Sequence, residues 1–402
     1  MSGPLDGLKV IDLTTVVMGP YATQILGDYG ADVIKVESPE GDALRGVGPG
    51  RHPGMGPLFL QANRGKRSLV LDLKAPSGRE ALLKLVAQSD LLISNIRPSA
   101  LERLKLGYRD LVGINPRLIY TALIGYGQTG PYAARPAYDD LVQGAVGLPR
   151  LFESAGGQEP RYVPIVMSDR VTGLYGLSAA LAALWNRERT GKGQYIEVPM
   201  FETMAQFVLG DHMGGALFEP TVGSAGYARL LSSDRRPYRT SDGYICAMVY
   251  SDRNWREFFK AIGKPELFES DSRFANISTR TKHIDELYAM VSEALATRTT
   301  KECADLFEAS DIPFSPLNTM ESLLTDPHLQ AVGFFQNVTH PSEGVLKMPS
   351  IPARFSESPA ALNKPAPRLG EHSREILLAL GYDDHGVDAL IADGVTMDAD
   401  NI

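Results

Sequence analysis

From Leu8 to Val198 short apolar runs alternate with helical patterns, and this alternation constrains the fold more than any other feature of the chain. Leu8 to Leu13 reads as a strand. A turn at Gly19-Pro20 leads to a helix over Tyr21 to Tyr29, with Pro20 near its first position and Gly30 at its end. Asp32 to Glu37, Ser68 to Leu71, Leu91 to Ser94, Arg117 to Ala122 and Gln194 to Val198 are further strands. Helical patterns cover Gly78 to Val86, a segment opening at Pro98, and Arg170 to Trp185. Strand and helix in turn predict an α/β fold, a parallel sheet covered by helices, with ligands at the carboxyl ends of the strands. Thr14-Thr-Val-Val-Met-Gly19 follows the first strand where a Gly-x-Gly-x-x-Gly fingerprint would stand, so a dinucleotide cofactor has no support. The Gly- and Pro-rich stretch from Ser38 to Asn63 is long for a structureless connection and is a candidate active-site loop.

At 402 residues two domains are the natural expectation. Beyond about Pro220 the character shifts. A strand over Tyr244 to Val249 is followed by amphipathic helices near Trp255 to Ile262, Ile284 to Ala296 and Lys301 to Ala309. The expected division is therefore 1–220 for a large α/β domain and 221–325 for a smaller mixed one. The remainder, 326–402, is less regular and ends in a helix over Ser373 to Leu380.

A net charge of -8 argues against general nucleic-acid binding. The two cysteines, Cys246 and Cys303, have neither disulfide-framework density nor metal-ligand spacing, which points to a reducing cytoplasm. No secretory leader is read in the first residues, and no run approaches the length of a membrane span.

Asp169 ends the apolar approach Pro164-Ile-Val-Met-Ser168 and precedes a helix rich in small residues, including Gly173 and Gly176. A carboxylate at a helix start faces unpaired N–H groups and the positive end of the dipole. It is expected to stay ionised, and an ionised carboxylate can attack an activated carbonyl. The alternative is a plain N-cap, which Asp favours.

Several short segments, in order along nearly the whole chain, resemble the class III CoA-transferases of CaiB/BaiF type. They include Leu26-Gly-Asp-Tyr-Gly-Ala-Asp-Val-Ile-Lys-Val-Glu37, Asn63-Arg-Gly-Lys-Arg-Ser68, Asn95-Ile-Arg-Pro98, Gly125-Tyr-Gly-Gln-Thr-Gly-Pro131 and Leu369-Gly-Glu-His372. The resemblance implies a Rossmann-like large domain, a small domain, a C-terminal segment returning to the large one, and an interlaced homodimer. It also implies that Asp169 is the nucleophile, with coenzyme A and acyl-CoA as substrates and no prosthetic group or metal. Val17, Met18, Leu71, Lys74, Asn95, Ile96, Arg97, Arg103, Tyr138 and Asp139 transfer as CoA-binding positions, Val17 and Met18 through backbone N–H groups beside the thioester. The family's basic residue after the second strand is Ser38 here.

The same superfamily includes 2-methylacyl-CoA racemases, which carry His-Asp where this chain has Tyr138-Asp139. A tyrosine is a poor base at neutral pH, so the transferase reading leads. Arg45, Arg51 and Arg170 are the candidates to pair with a second carboxylate, and succinyl-CoA or another dicarboxylate donor is the suggested substrate.

Overall fold

The computed structural model describes residues 3–157, 159–362 and 364–398. Its central feature is a six-stranded sheet: β1 (Lys9–Leu13), β2 (Asp32–Glu37), β3 (Lys66–Val70), β4 (Leu91–Ser94), β5 (Ile119–Ile124) and β6 (Gln194–Pro199). The order is β3-β2-β1-β4-β5-β6 and every pairing is parallel. Strand order reverses between β1 and β4, whose carboxyl ends meet at the Leu13–Ser94 pair. A crevice outside that reversal is where such sheets take ligands.

β4 and β5 are buried along their whole length, which is why they read as continuous apolar runs rather than as alternating ones. On one face Ile11, Ile34, Leu92 and Tyr120 pack with Ala81 and Leu85 of the helix Pro76–Val86. The C-terminal helices Ser373–Ala379 and Asp384–Ala392 complete that layer through Ile376, Leu377, Val387 and Leu390. On the other face Val10, Val33, Ile93 and Leu123 meet the helices Met18–Asp28 and Met167–Thr190. Each fully buried aliphatic side chain in these layers contributes about 1.5–3 kcal/mol.

The stretch from Ser38 to Asn63 is not a structureless loop. It holds a short 3-10 turn, Ala43–Gly46, and the helix Pro57–Ala62. Leu44, Met55 and Phe59 bury themselves with Val17 and Ala366. Arg45 fixes the turn through two bonds to the Glu37 carboxylate, 2.8 and 2.7 Å, with its guanidinium 3.8 Å from the Phe59 ring centroid. The first helix also starts earlier than the sequence indicates, at Met18. Pro20 then lies inside the first turn, where a missing N–H breaks no helical bond.

The chain divides into two compact units. One comprises the described residues of 1–146, 164–205 and 328–402, the other those of 147–163 and 206–327. This differs from the expected 1–220, 221–325 and 326–402 because Gly147, at φ 78°, turns the chain out of the first unit, and the second boundary falls inside the continuous helix Met200–His212. The second unit has a small antiparallel sheet, Tyr238–Arg239, Tyr244–Ala247 and Phe314–Pro316, over an aromatic core of Trp255, Phe258, Phe259 and Phe274. Among the described residues no helix is long and apolar enough to cross a membrane.

Candidate active site

The turn after β1 is tied down from three sides. Thr14 N–H donates to Asp12 Oδ1 at 3.1 Å, and Val16 N–H to Asp42 Oδ1 at 3.2 Å. Asn95, just beyond β4, accepts from Thr15 N–H at 3.0 Å and donates through Nδ2 to Thr15 O at 2.8 Å. Lys35 Nζ donates to Thr14 O at 2.8 Å and pairs with Asp42 at 3.0 Å. These bonds hold Val16 at φ 68°, a left-handed conformation that costs a β-branched residue of order 1–3 kcal/mol. The turn hands on directly to Met18, whose N–H is among the helix-start donors without an intrahelical acceptor.

Beneath the turn lies a buried charge network. Lys66 Nζ reaches Asp12 at 2.8 Å and Asn63 Oδ1 at 2.8 Å. Burial alone would raise the Asp12 carboxyl, but Lys66 and Lys35 override it and hold it at about 2. Burial also pushes the Lys66 ammonium down to about 8, against the pull of Asp12.

The helix Met167–Thr190 presses onto this turn because its facing residues are small. A Cβ at Gly173 would stand 2.5 Å from the Met18 carbonyl oxygen, and one at Gly176 would meet the Leu123 side chain at 2.4 Å. Asp169 lies in the helix's first turn, while the N-cap position is Val166. Capping is done from elsewhere: Asp169 N–H donates to Asp139 Oδ1 at 2.9 Å. Gln143 Nε2 donates to Asp139 Oδ2 at 2.7 Å, and Ser168 Oγ to the Asp139 carbonyl at 3.2 Å. The expectation that the helix start keeps Asp169 ionised is corrected here. Burial and the neighbouring Asp139 carboxylate push its carboxyl up to about 7, with Arg170 opposing them.

A cavity of about 530 Å³ opens at the carboxyl ends of the strands. Met18, Asn95, Arg97, Tyr138, Asp139 and Asp169 all border it. A second, of about 330 Å³, is bordered by Leu71, Lys74 and Ile96, with Ser38 at its rim; Thr15 borders both. Val17 and Arg103 border neither. The Val17 side chain is buried against Leu44 and Phe59, which leaves only its backbone facing the turn, and Arg103 is exposed in the last turn of the helix Pro98–Arg103.

The three arginines proposed for a second carboxylate are engaged elsewhere. Arg45 is bound to Glu37, Arg51 donates to the Glu343 carbonyl, and Arg170 stacks on Tyr21, 4.7 Å from the ring centroid. None borders the Asp169 cavity, whereas Arg135, stacked 3.9 Å over Tyr132, does. Sequence reasoning missed Arg135 and Gln143. Gln143 was findable, because it stands four residues after Asp139 on one helix face. Arg135 carries no such local mark. Among the described residues no cluster of three or more His, Cys, Asp or Glu is placed to hold a metal.

The chain matches CoA-transferase family III over residues 5–373. The chain belongs to CoA-transferase family III. It is 32% identical to succinyl-CoA:glutarate CoA-transferase of Homo sapiens, over 98% of this chain and 90% of that protein. It is 33% identical to the succinyl-CoA–L-malate CoA-transferase beta subunit of Chloroflexus aurantiacus, over 93% of each. A crystal structure of a CAIB/BAIF family protein from Brucella suis superposes with a TM-score of 0.78 at 34% identity, covering 94% of this chain and all of that one. Both family and enzyme class thus agree with the resemblance carried by the sequence segments.

Proposed function

We propose that this class III CoA-transferase moves CoA between carboxylic acids by covalent catalysis on Asp169. The Asp169 carboxylate attacks the acyl-CoA carbonyl carbon, the C–S bond breaks, and CoA thiolate leaves behind an acyl-aspartyl anhydride. The thiolate attacks the aspartyl carbonyl, expelling the donor acid as a carboxylate and forming an aspartyl-CoA thioester. An acceptor carboxylate attacks that carbonyl and releases the thiolate again. The thiolate then takes the acceptor's acyl carbon and restores Asp169. Once Asp169 is ionised, each step exchanges one anion for another, so no further proton need move and no ATP is spent. The single observation that carries this reading is a buried carboxylate in the first turn of a long helix, bordering a cavity at the strand-order reversal.

The backbone N–H groups at Val17 and Met18 are proposed to face the thioester carbonyl, where fixed donors stabilise an oxyanion. Asn95 and Arg97 border the reacting cavity, while Leu71, Lys74 and Ile96 border the neighbouring one, and both sets fit a CoA that runs past Thr15. Arg103, exposed nearby, is proposed for a CoA phosphate. A dicarboxylic acid such as succinate is the proposed substrate class. Arg135 beside the cavity and the succinyl-CoA named for two relatives support it.

A homodimer is proposed as the working form. Leu174, Tyr175 and Trp185 stand exposed along the Asp169 helix, an apolar stripe that a second copy would cover. Free Cys246 and Cys303 suit a cytoplasmic setting.

The test is mass spectrometry of protein quenched during turnover with succinyl-CoA and a panel of free acids. Asp169 should carry added mass that hydroxylamine removes, and Asp169→Ala should lose exchange while still binding CoA. Product accumulating with Asp169 unmodified would end the proposal, and exchange confined to monocarboxylic acids would end its substrate half.

A further inference from the structure

The Asp139 carboxylate is held in two ways that a CoA-contacting residue would not need. Its Oδ1 accepts the Asp169 N–H at 2.9 Å, and Oδ2 accepts from Gln143 Nε2 at 2.7 Å, so the carboxylate is oriented from both sides. It is buried to the same degree as Asp169, each 8% exposed, and both border one cavity. Capping a helix start needs only an acceptor oxygen, and Ser, Thr or Asn would serve. A full negative charge next to a nucleophilic carboxylate is more than capping requires.

We propose that Asp139 is a positioning residue with a second role: it fixes the Asp169 backbone and sets a like charge beside the Asp169 side chain, which favours the states in which Asp169 is bonded to acyl or CoA. This rests on Asp169 being the nucleophile. The free enzyme holds two buried carboxylates on one cavity, and their repulsion is felt only while both are charged. When Asp169 becomes an anhydride or a thioester its charge is gone and the repulsion with it. The free carboxylate is therefore raised in energy relative to the covalent intermediates, and its affinity for protons rises for the same reason.

Arg97 and Arg135 border the same cavity as the two carboxylates, and the cation that acts on Asp169 against Asp139 is Arg170. On Asp169's own helix Arg170 acts in the opposite sense, but its guanidinium lies on the Tyr21 ring. The helix Met18–Asp28 adds Asp28, paired with Arg64. Tyr120, with Tyr195 packed on it, lies on the opposite face of the sheet, and Glu197 of β6 accepts Gln128 N–H at 3.0 Å. Asp140, next to Asp139, is exposed. Tyr138 borders the same cavity.

The experiment follows adduct formation by the full chain with succinyl-CoA, quenched and trapped with hydroxylamine, from about pH 5 to about pH 9. In unmutated protein the rate rises with pH through a midpoint near 7, where Asp169 ionises. Asp139→Asn keeps an acceptor for the helix N–H and removes the charge. Its midpoint should fall by about one pH unit or more, and the fraction of enzyme trapped as adduct should drop at least about threefold at pH 8. Asp139→Ser, a second neutral cap, should do the same and serves if the Asn variant does not fold. Asp139→Ala, lacking the acceptor, should slow the reaction at every pH. An unchanged midpoint in a neutral-cap variant that still forms adduct overturns the charge role and leaves the nucleophile intact. Absence of any adduct in the unmutated protein overturns the nucleophile and this proposal together.

Discussion

At the scale of the residue, Asp169, the proposed nucleophile, carries a cost in stability. Its folded carboxyl stands near 7 against an ordinary value near 4, so the native state holds a proton that the unfolded chain gives up. The stabilisation is therefore full below about pH 4 and is lost as pH rises through about 7. Asp169→Asn removes that loss. The expected result is a protein about 1–2 kcal/mol more stable at pH 8 by urea unfolding, with exchange reduced by at least about 10³-fold. An Asn variant less stable than the parent at pH 8 would show that ionised Asp169 is well solvated after all. Asp12 behaves in the opposite way. Held at about 2, it contributes stability above about pH 4 that fades as pH falls toward 2. The sequence marked Asp169 as a carboxylate at a helix start, but its upward shift comes first from burial and then from Asp139, thirty positions away in the chain. No local pattern joins those two residues.

At the scale of the element, the fit between the Asp169 helix and the turn after β1 sets how the proposed nucleophile stands to the backbone donors of that turn. Gly173 permits that fit, since any side chain there would run into the Met18 carbonyl. Gly173→Ala must push the helix off the turn. It should cost about 1–3 kcal/mol in urea unfolding and lower kcat more than it raises KM, because the displaced group is the proposed nucleophile. A variant with parental stability and kcat would refute the close fit. Strands were legible because β4 and β5 are buried throughout and mostly apolar, and the helix Ile284–Ala296 was legible from its period. The Ser38 to Asn63 stretch was not. Its order comes from Arg45 reaching back to Glu37 and from Phe59 entering a core shared with Val17 and Ala366, contacts that composition does not reveal.

At the scale of the whole molecule, residues far apart in the chain build one sheet layer. The C-terminal helices pack Leu377 and Leu390 with Leu69 and Leu82, so 328–402 is part of the large unit and not an appendage. The exposed stripe on the Asp169 helix leads to a prediction at this scale. Light scattering of the purified protein should give twice the 43.7 kDa chain mass, and Trp185→Glu, placing a charge on that stripe, should shift the population toward monomer. A monomer at micromolar concentration would refute the dimer.

The parallel α/β class, the strand positions and the family follow from the chain alone, because apolar periodicity and short segment order are local properties. Tertiary structure decided which charges meet. The pairing of Asp139 with Asp169, the lysines under Asp12, and the engagement of Arg45, Arg51 and Arg170 away from the cavity all arise where the sheet brings distant loops to one edge. Electrostatic energy depends on separation in space and on exclusion of water, and neither is written in the spacing of residues along a chain.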